Sequence, residues 1–213
     1  QIAEKLKESP DIKVVFTTLC ETSTATLLPI KEIAEVVSKT DACLVVDAVS
    51  GMGVEDFKTD EWQVDVVAVG SQKGLMIPPG LGLVTMSEKA WGLAAKSTLP
   101  KFYFSLTAAK KNLADRQTAY TPAVSLIYAL RQALKMMKEE GIENVWKRHQ
   151  LLAQACQAGV KALGLEILSK SPANGVTAVV APAEIDGKTI IKGYKEQGII
   201  VAGGQDHLKN KIF

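Results

Sequence analysis

Short apolar runs alternate along this chain with stretches in which apolar residues recur every three or four positions. That alternation predicts an α/β protein. Residues 13–18 read as a strand. Residues 43–47, Cys-Leu-Val-Val-Asp, are apolar almost throughout, which predicts a strand covered on both faces. Residues 64–70 and 81–86 give a third and a fourth. After the first strand, Pro29 suits a helix N-terminus, and Ile30, Ile33, Ala34 and Val37 follow at helical spacing. Ser87 predicts an N-cap for a helix over 88–95. The rhythm breaks at residues 96–122, where Pro100, Phe102, Tyr103 and Phe104 fall without a clear period; an extended excursion over a neighbour is expected there. A long helix is predicted over 124–140, closed by Gly141, and another over 143–163. Strands at 165–168, 177–180 and 199–201, with an Asp186-capped helix to about 197, predict a smaller α+β unit. The expected organisation is therefore two domains, residues 1–140 and 141–213.

Composition narrows the class. The 213 residues are 47% hydrophobic and 23% charged, ordinary values that exclude a disordered or collagen-like chain. Lys and Arg number 25 against 23 Asp and Glu, so no basic excess points to nucleic acid or an anionic membrane. No apolar run approaches the roughly eighteen residues of a membrane span, and the N-terminus is too charged for a signal peptide. Cys20, Cys43 and Cys156 show no metal spacing, and an odd count without a secretion signal predicts reduced thiols in the cytoplasm. Cys43 and Cys156 are both expected in core packing. The chain opens on Gln1 and stops at Ile212 and Phe213 in what reads as a new strand, so both ends look like cuts through something longer.

Three places carry candidate chemistry. Asp47 closes an apolar strand, which puts its carboxylate at the carboxyl edge of a sheet, where open α/β proteins bind ligands; a turn cap is the plainer role for such an Asp. Alternation assigns Val49 to the same side, and an acid beside a β-branched residue suits the edge and face of an aromatic ligand. Lys73 lies between an apolar strand and the apolar, Pro- and Gly-rich residues 74–82. A solvated lysine is out of place there, and a desolvated one becomes a nucleophile for carbonyl groups. Glu21, Thr22, Ser23 and Thr24 bring three hydroxyls and a carboxylate to another strand end, or simply make a capped turn. Gly51-Met52-Gly53 and Gly80-Leu81-Gly82 do not complete a dinucleotide fingerprint. His149 and His207 have no ligand-spaced partners. Trp62, Trp91 and Trp146 are expected to pack on the core or a partner.

Taken together, Glu21-Thr22-Ser23-Thr24, Val46-Asp47-Ala48-Val49-Ser50 and the block from Gly70 to Gly80 around Lys73 resemble the class V pyridoxal-phosphate-dependent aminotransferases. The similarity is greatest to the alanine–glyoxylate and serine–pyruvate or serine–glyoxylate branch. The resemblance implies the fold type I PLP-dependent transferase architecture, here an incomplete mixed-sheet large domain with part of a small α+β C-terminal domain. It also implies the cofactor pyridoxal 5'-phosphate and a homodimer with a shared site. Lys73 would form the Schiff base and move the proton at the substrate Cα. Asp47 would pair with the ring nitrogen. Val49 would pack on a ring face, Thr22 would hydrogen-bond the phenolic oxygen, Gln72 would help hold the phosphate, and Thr121 would reach the partner subunit's phosphate. Many relatives carry His at the position of Leu19 and Gly at that of Ala25. The family's upstream phosphate loop, its stacking aromatic and the arginine expected just after Phe213 are not in this sequence. The chain by itself is therefore expected to be unstable and a poor transaminase. The implied reaction moves an amino group from alanine or serine to glyoxylate or pyruvate. The alternatives are a lyase or desulfurase, disfavoured because Gln72 stands where such relatives carry His, and a non-catalytic subunit like those named soluble hydrogenase subunits.

Overall fold

A computed structural model describes all residues, 1–213. Its central feature is a four-stranded mixed sheet in the order β1-β4-β5-β6, formed by β1 (Val14–Thr18), β4 (Cys43–Asp47), β5 (Val66–Gly70) and β6 (Gly82–Met86). The pairs β1/β4 and β4/β5 are parallel, and β6 runs antiparallel to β5. The four expected strands are all present, β4 with its expected bounds and the other three trimmed by one or two residues at their starts. The apolar run of β4 is explained by its place: it is flanked on both sides in the sheet, and Cys43, Leu44 and Val46 are buried.

Helix α2 (Ile30–Val37) makes the crossover from β1 to β4 and buries Ile30, Ile33, Ala34 and Val37 against one face of the sheet, the four positions its spacing marks. Leu6 of α1 (Ile2–Glu8) joins the same core. That first helix has a single buried residue among charged ones, too little pattern for its sequence to announce it. Ser87 caps α3 (Glu88–Lys96) by accepting the Ala90 N–H at 3.1 Å.

Residues 96–122 are not wholly extended. They contain α4 (Leu106–Ala114), capped by Ser105, which accepts the Ala108 N–H at 3.2 Å. No residue of α4 is buried, so the helix lacks the core-facing stripe that periodicity detects. The long helices α5 (Val124–Glu140) and α6 (Ile142–Ala162) meet at Gly141, whose φ of 85° is the left-handed corner that ends the first.

The C-terminal region departs most from expectation. Two of the anticipated strands shrink to the single bridges Ile167–Val179 and Val180–Ile212, and residues 199–201 form none. The reason lies at the end of α7 (Gly187–Glu196), whose start is capped by Asp186 as expected. Gly198 adopts φ 78° and donates to the Lys195 carbonyl, while Ile199 donates to the Tyr194 carbonyl. This paired closure of a helix C-terminus consumes the N–H that a strand ladder needs at Ile199. A second small pairing, β2 (Cys20–Glu21) with β3 (Thr26–Leu27), was hidden by the hydroxyl-rich turn between its strands.

Candidate active site

Because β1, β4 and β5 are parallel and in register (Thr18 opposite Asp47, Asp47 opposite Ala68), their carboxyl ends share one edge. Asp47 is the last residue of β4 and its carboxylate is exposed at that edge. Its Oδ1 accepts the Val49 N–H at 2.9 Å, so the acid also organises its own turn. Val49 therefore lies beyond the strand, and strand alternation does not set its direction. Its side chain instead leans over β5: a Cβ on Gly70 would stand 3.3 Å from Val49 Cγ1 and 3.1 Å from Gln72 Oε1. The absence of a side chain at Gly70 leaves a cradle between Val49 and Gln72.

The segment after β5 closes around buried Ser71, whose hydroxyl donates to the Pro78 carbonyl at 2.8 Å and accepts the Leu81 N–H at 3.2 Å. Leu75 turns inward onto Met137 and Val145. Gln72 and Lys73 are left pointing out at the edge, and both are exposed. The expected desolvation of Lys73 is thus not met in this chain: the apolar residues beside it are satisfied by Leu75 packing inward, not by covering the ammonium. Lys73 is near enough to the Thr22 side of the edge for its charge to act on Cys20. The Cys20 thiol is pushed up to about 11, mainly by burial and further by the carboxylates of Glu55 and Glu21, with Lys73 opposing. It is a packed, protonated thiol and a poor nucleophile.

Thr22 sits in the turn between β2 and β3, its hydroxyl 2.6 Å from that of Ser50. Glu21 is committed to the same turn: its Oε1 accepts the Ser23 hydroxyl at 2.6 Å and the Ser23 N–H at 2.9 Å, which hold its carboxyl below the usual range. The plainer reading of Glu21 is the right one. Thr121 is exposed in the turn before α5 and shares no hydrogen bond with the edge. Near it Tyr103 stacks on Tyr120 with ring centroids 4.6 Å apart, beside exposed Phe102 and Phe104. Cys43 is buried, but Cys156 is exposed on α6, correcting its expected place in the core. It lines a cavity of about 390 Å³ that opens between Thr22 and Ser23 on one side and Val176, Tyr194 and Phe213 on the other.

One residue at the edge escaped sequence reasoning. Glu55 is 1% exposed, and its carboxylate accepts the Asn174 N–H at 2.6 Å and the Asn174 side-chain amide at 2.8 Å. Its partner lies 119 residues away, so no local pattern signals it.

This mixed sheet, with an Asp at one strand end and a Lys after the next, superposes on aminotransferases of the fold type I class of pyridoxal-phosphate-dependent enzymes. Within that class the chain belongs to the aminotransferase class-V family, which it matches over residues 1–209. It is 44% identical over 218 residues to an uncharacterized aminotransferase of Methanocaldococcus jannaschii, covering 100% of this chain and 56% of that protein. It is 37% identical over 226 residues to the serine–glyoxylate aminotransferase of Methylorubrum extorquens, with 100% of this chain and 56% of the relative covered. The crystal structure of pyridoxamine–pyruvate aminotransferase from Mesorhizobium loti superposes with a TM-score of 0.92 at 34% identity, over 99% of this chain and 56% of that one. The chain thus spans little more than half the length of these relatives.

Family membership implies pyridoxal 5'-phosphate, and the residues present fit it. The ligand has a protonatable ring nitrogen, a flat face, a phenolic oxygen and an aldehyde. Those groups match the carboxylate of Asp47, the apolar Val49 above the Gly70 cradle, the hydroxyl of Thr22 and the amine of Lys73.

Proposed function

We propose that the whole protein is a pyridoxal-phosphate-dependent aminotransferase that moves the amino group of alanine or serine to glyoxylate or pyruvate. What supports the reading is the family match together with Asp47 at the end of β4 and Gln72 and Lys73 just after β5, neighbouring parallel strands in register. When bound, the cofactor supplies an electron sink for the bond broken at the substrate Cα.

This chain's residues do the rest. Asp47, an acceptor-only carboxylate, holds a proton on the ring nitrogen by charge-assisted hydrogen bonding. Val49 orients the ring by covering one face. Thr22, kept in place by the Ser50 hydroxyl, donates to the phenolic oxygen. The Lys73 amine would hold the aldehyde and, freed by the incoming substrate amine, would carry the proton from the substrate Cα to the cofactor's aldehyde carbon. Gln72 donates to the phosphate. Thr121 does the same for a second copy's site, so the working unit is a homodimer. The exposed aromatic group around Tyr120 supports an interface there. The three free thiols suit a reducing compartment, and we assign the protein to the cytoplasm.

Borohydride reduction of the cofactor-loaded whole protein, followed by peptide mapping, is expected to leave the cofactor on Lys73. A label elsewhere, or none, removes the assignment. Amino donors tested against glyoxylate and pyruvate then fix the substrates: transfer from alanine or serine is expected, and release of pyruvate or sulfur without transfer would instead make the enzyme a lyase or desulfurase.

A further inference from the structure

Residues 48–55, which follow Asp47, form the hub of the edge. The segment is wound on itself: the N–H groups of Gly51 and Met52 donate to the Ala48 carbonyl, and those of Val54 and Glu55 donate to the Gly51 carbonyl. Each part of it holds a different piece of the site. Val49 donates to Asp47. Ser50 hydrogen-bonds Thr22. Gly74, directly after Lys73, is lodged so closely that a Cβ there would overlap the Met52 carbonyl. Gly51 is pressed onto Leu19, where a Cβ would come within 2.6 Å of Leu19 Cδ2. A segment in contact with all of these transmits its own position to Asp47, Thr22 and Lys73 together.

Only one end of the hub is fixed by the sheet. The other ends in Glu55, whose fully buried carboxylate is gripped by the backbone and side-chain N–H groups of Asn174, with the Gly175 backbone also donating. Gly175 itself rests against Val54, at 3.2 Å from a Cβ position to Val54 Cγ1. Asn174 and Gly175 belong to the C-terminal region, so this grip is a polar tie between that region and the 48–55 segment, beside the hydrogen bonds that join residues 169–173 to residues 25–27. A buried carboxylate that accepts several N–H donors is costly to break on one side, which makes it a stiff anchor.

We infer that Glu55 is a positioning residue: clamped by Asn174, it fixes the 48–55 segment and through it the placement of Asp47, Thr22 and Lys73 around the cofactor. The inference rests on the proposed roles of Asp47 and Lys73. Its test is titration of the whole apo-protein with pyridoxal 5'-phosphate, read by visible absorbance and by the circular dichroism of the bound cofactor, with Tm measured alongside. Glu55→Ala and Asn174→Ala are expected to weaken cofactor affinity on the order of tenfold, the size typical of supporting contacts, and to alter the dichroism. Glu55→Gln keeps the volume and one acceptor oxygen and is expected to restore most of both. Should Glu55→Ala fail to fold, Asn174→Ala, which leaves the backbone donors in place, carries the test. Asp65→Asn serves as a stability control. It lies at the amino edge of the sheet, hydrogen-bonded to Leu44 and Ser87, and should lower Tm without changing affinity. Unchanged affinity and dichroism in the Glu55 and Asn174 variants, or changes that Asp65→Asn reproduces, would overturn the inference. Asp47→Ala and Lys73→Ala separate the two failures: if they too leave affinity intact, the reading of the site is what falls.

Discussion

Ala25 shows how a single residue balances opposed terms. It has φ 53°, in the left-handed region that favours glycine, and it is fully buried beside Ala178 and Ile212. An L-residue there costs about 1–2 kcal/mol. Glycine relieves that cost but gives up about 0.5–1 kcal/mol of chain entropy and about 0.8 kcal/mol of buried methyl. Ala25→Gly should therefore leave stability within about 1 kcal/mol of the parent. Ala25→Val, β-branched in the same conformation and overpacked, should lower Tm clearly; a Val variant as stable as the parent would refute this account. Glu55 makes a second residue-scale prediction. Burial raises its pKa above the ordinary glutamate value of 4.5 against the pull of the Asn174 and Gly175 donors. The folded state thus holds the proton more tightly than the unfolded chain. The stability this contributes is complete below pH 4.5 and is lost as pH rises through the folded pKa. A pH series of Tm should fall more steeply over that window in the parent than in Glu55→Gln, and parallel curves would count against it.

At the scale of elements, the caps at Ser87 and Asp186 were legible in sequence, that at Ser105 was not, and the energetic weight of a cap depends on its surroundings. Ser87 and Ser105 both read as N-caps once their helices are known, yet they differ in what stands behind them. The Ser87 hydroxyl also donates to buried Asp65 at 2.6 Å, and Lys89 reaches the same carboxylate at 3.7 Å. That network joins β4, β5 and α3 at the amino edge of the sheet. Ser87→Ala removes a cap and strips a donor from Asp65, for about 2 kcal/mol in all. Ser105→Ala removes a cap from a helix that buries nothing, for about 0.5–1 kcal/mol. Thermal or urea denaturation of the two variants should rank them in that order, and equal effects would mean that the Asp65 network contributes nothing.

For the molecule as a whole, the surface is the informative feature. Phe16 on the edge strand β1 is 77% exposed, and Phe102 and Phe104 are 81% and 87% exposed. Clusters of this kind mark interaction surfaces or association liabilities. Residues 1–213 produced alone should scatter light increasingly with concentration, and changing Phe102 and Phe104 to Ser should reduce the scattering. A monomer across the accessible range would contradict this. No helix is long and apolar enough to cross a membrane.

Local periodicity was enough to determine the four strands, α2, the cap at Asp186 and the placement of Asp47 and Lys73 at strand ends, because each depends on residues within a turn or two. The helix α4 and the loss of strands beyond residue 164 were not legible, since one has no buried stripe and the others depend on pairing partners and on the closure of α7. The exposure of Lys73 was decided by where Leu75 found its core. The grip of Asn174 on Glu55 was decided by bringing together residues far apart in sequence. Sequence specifies what each residue can offer over short range; which distant group accepts the offer is settled only when the chain closes on itself.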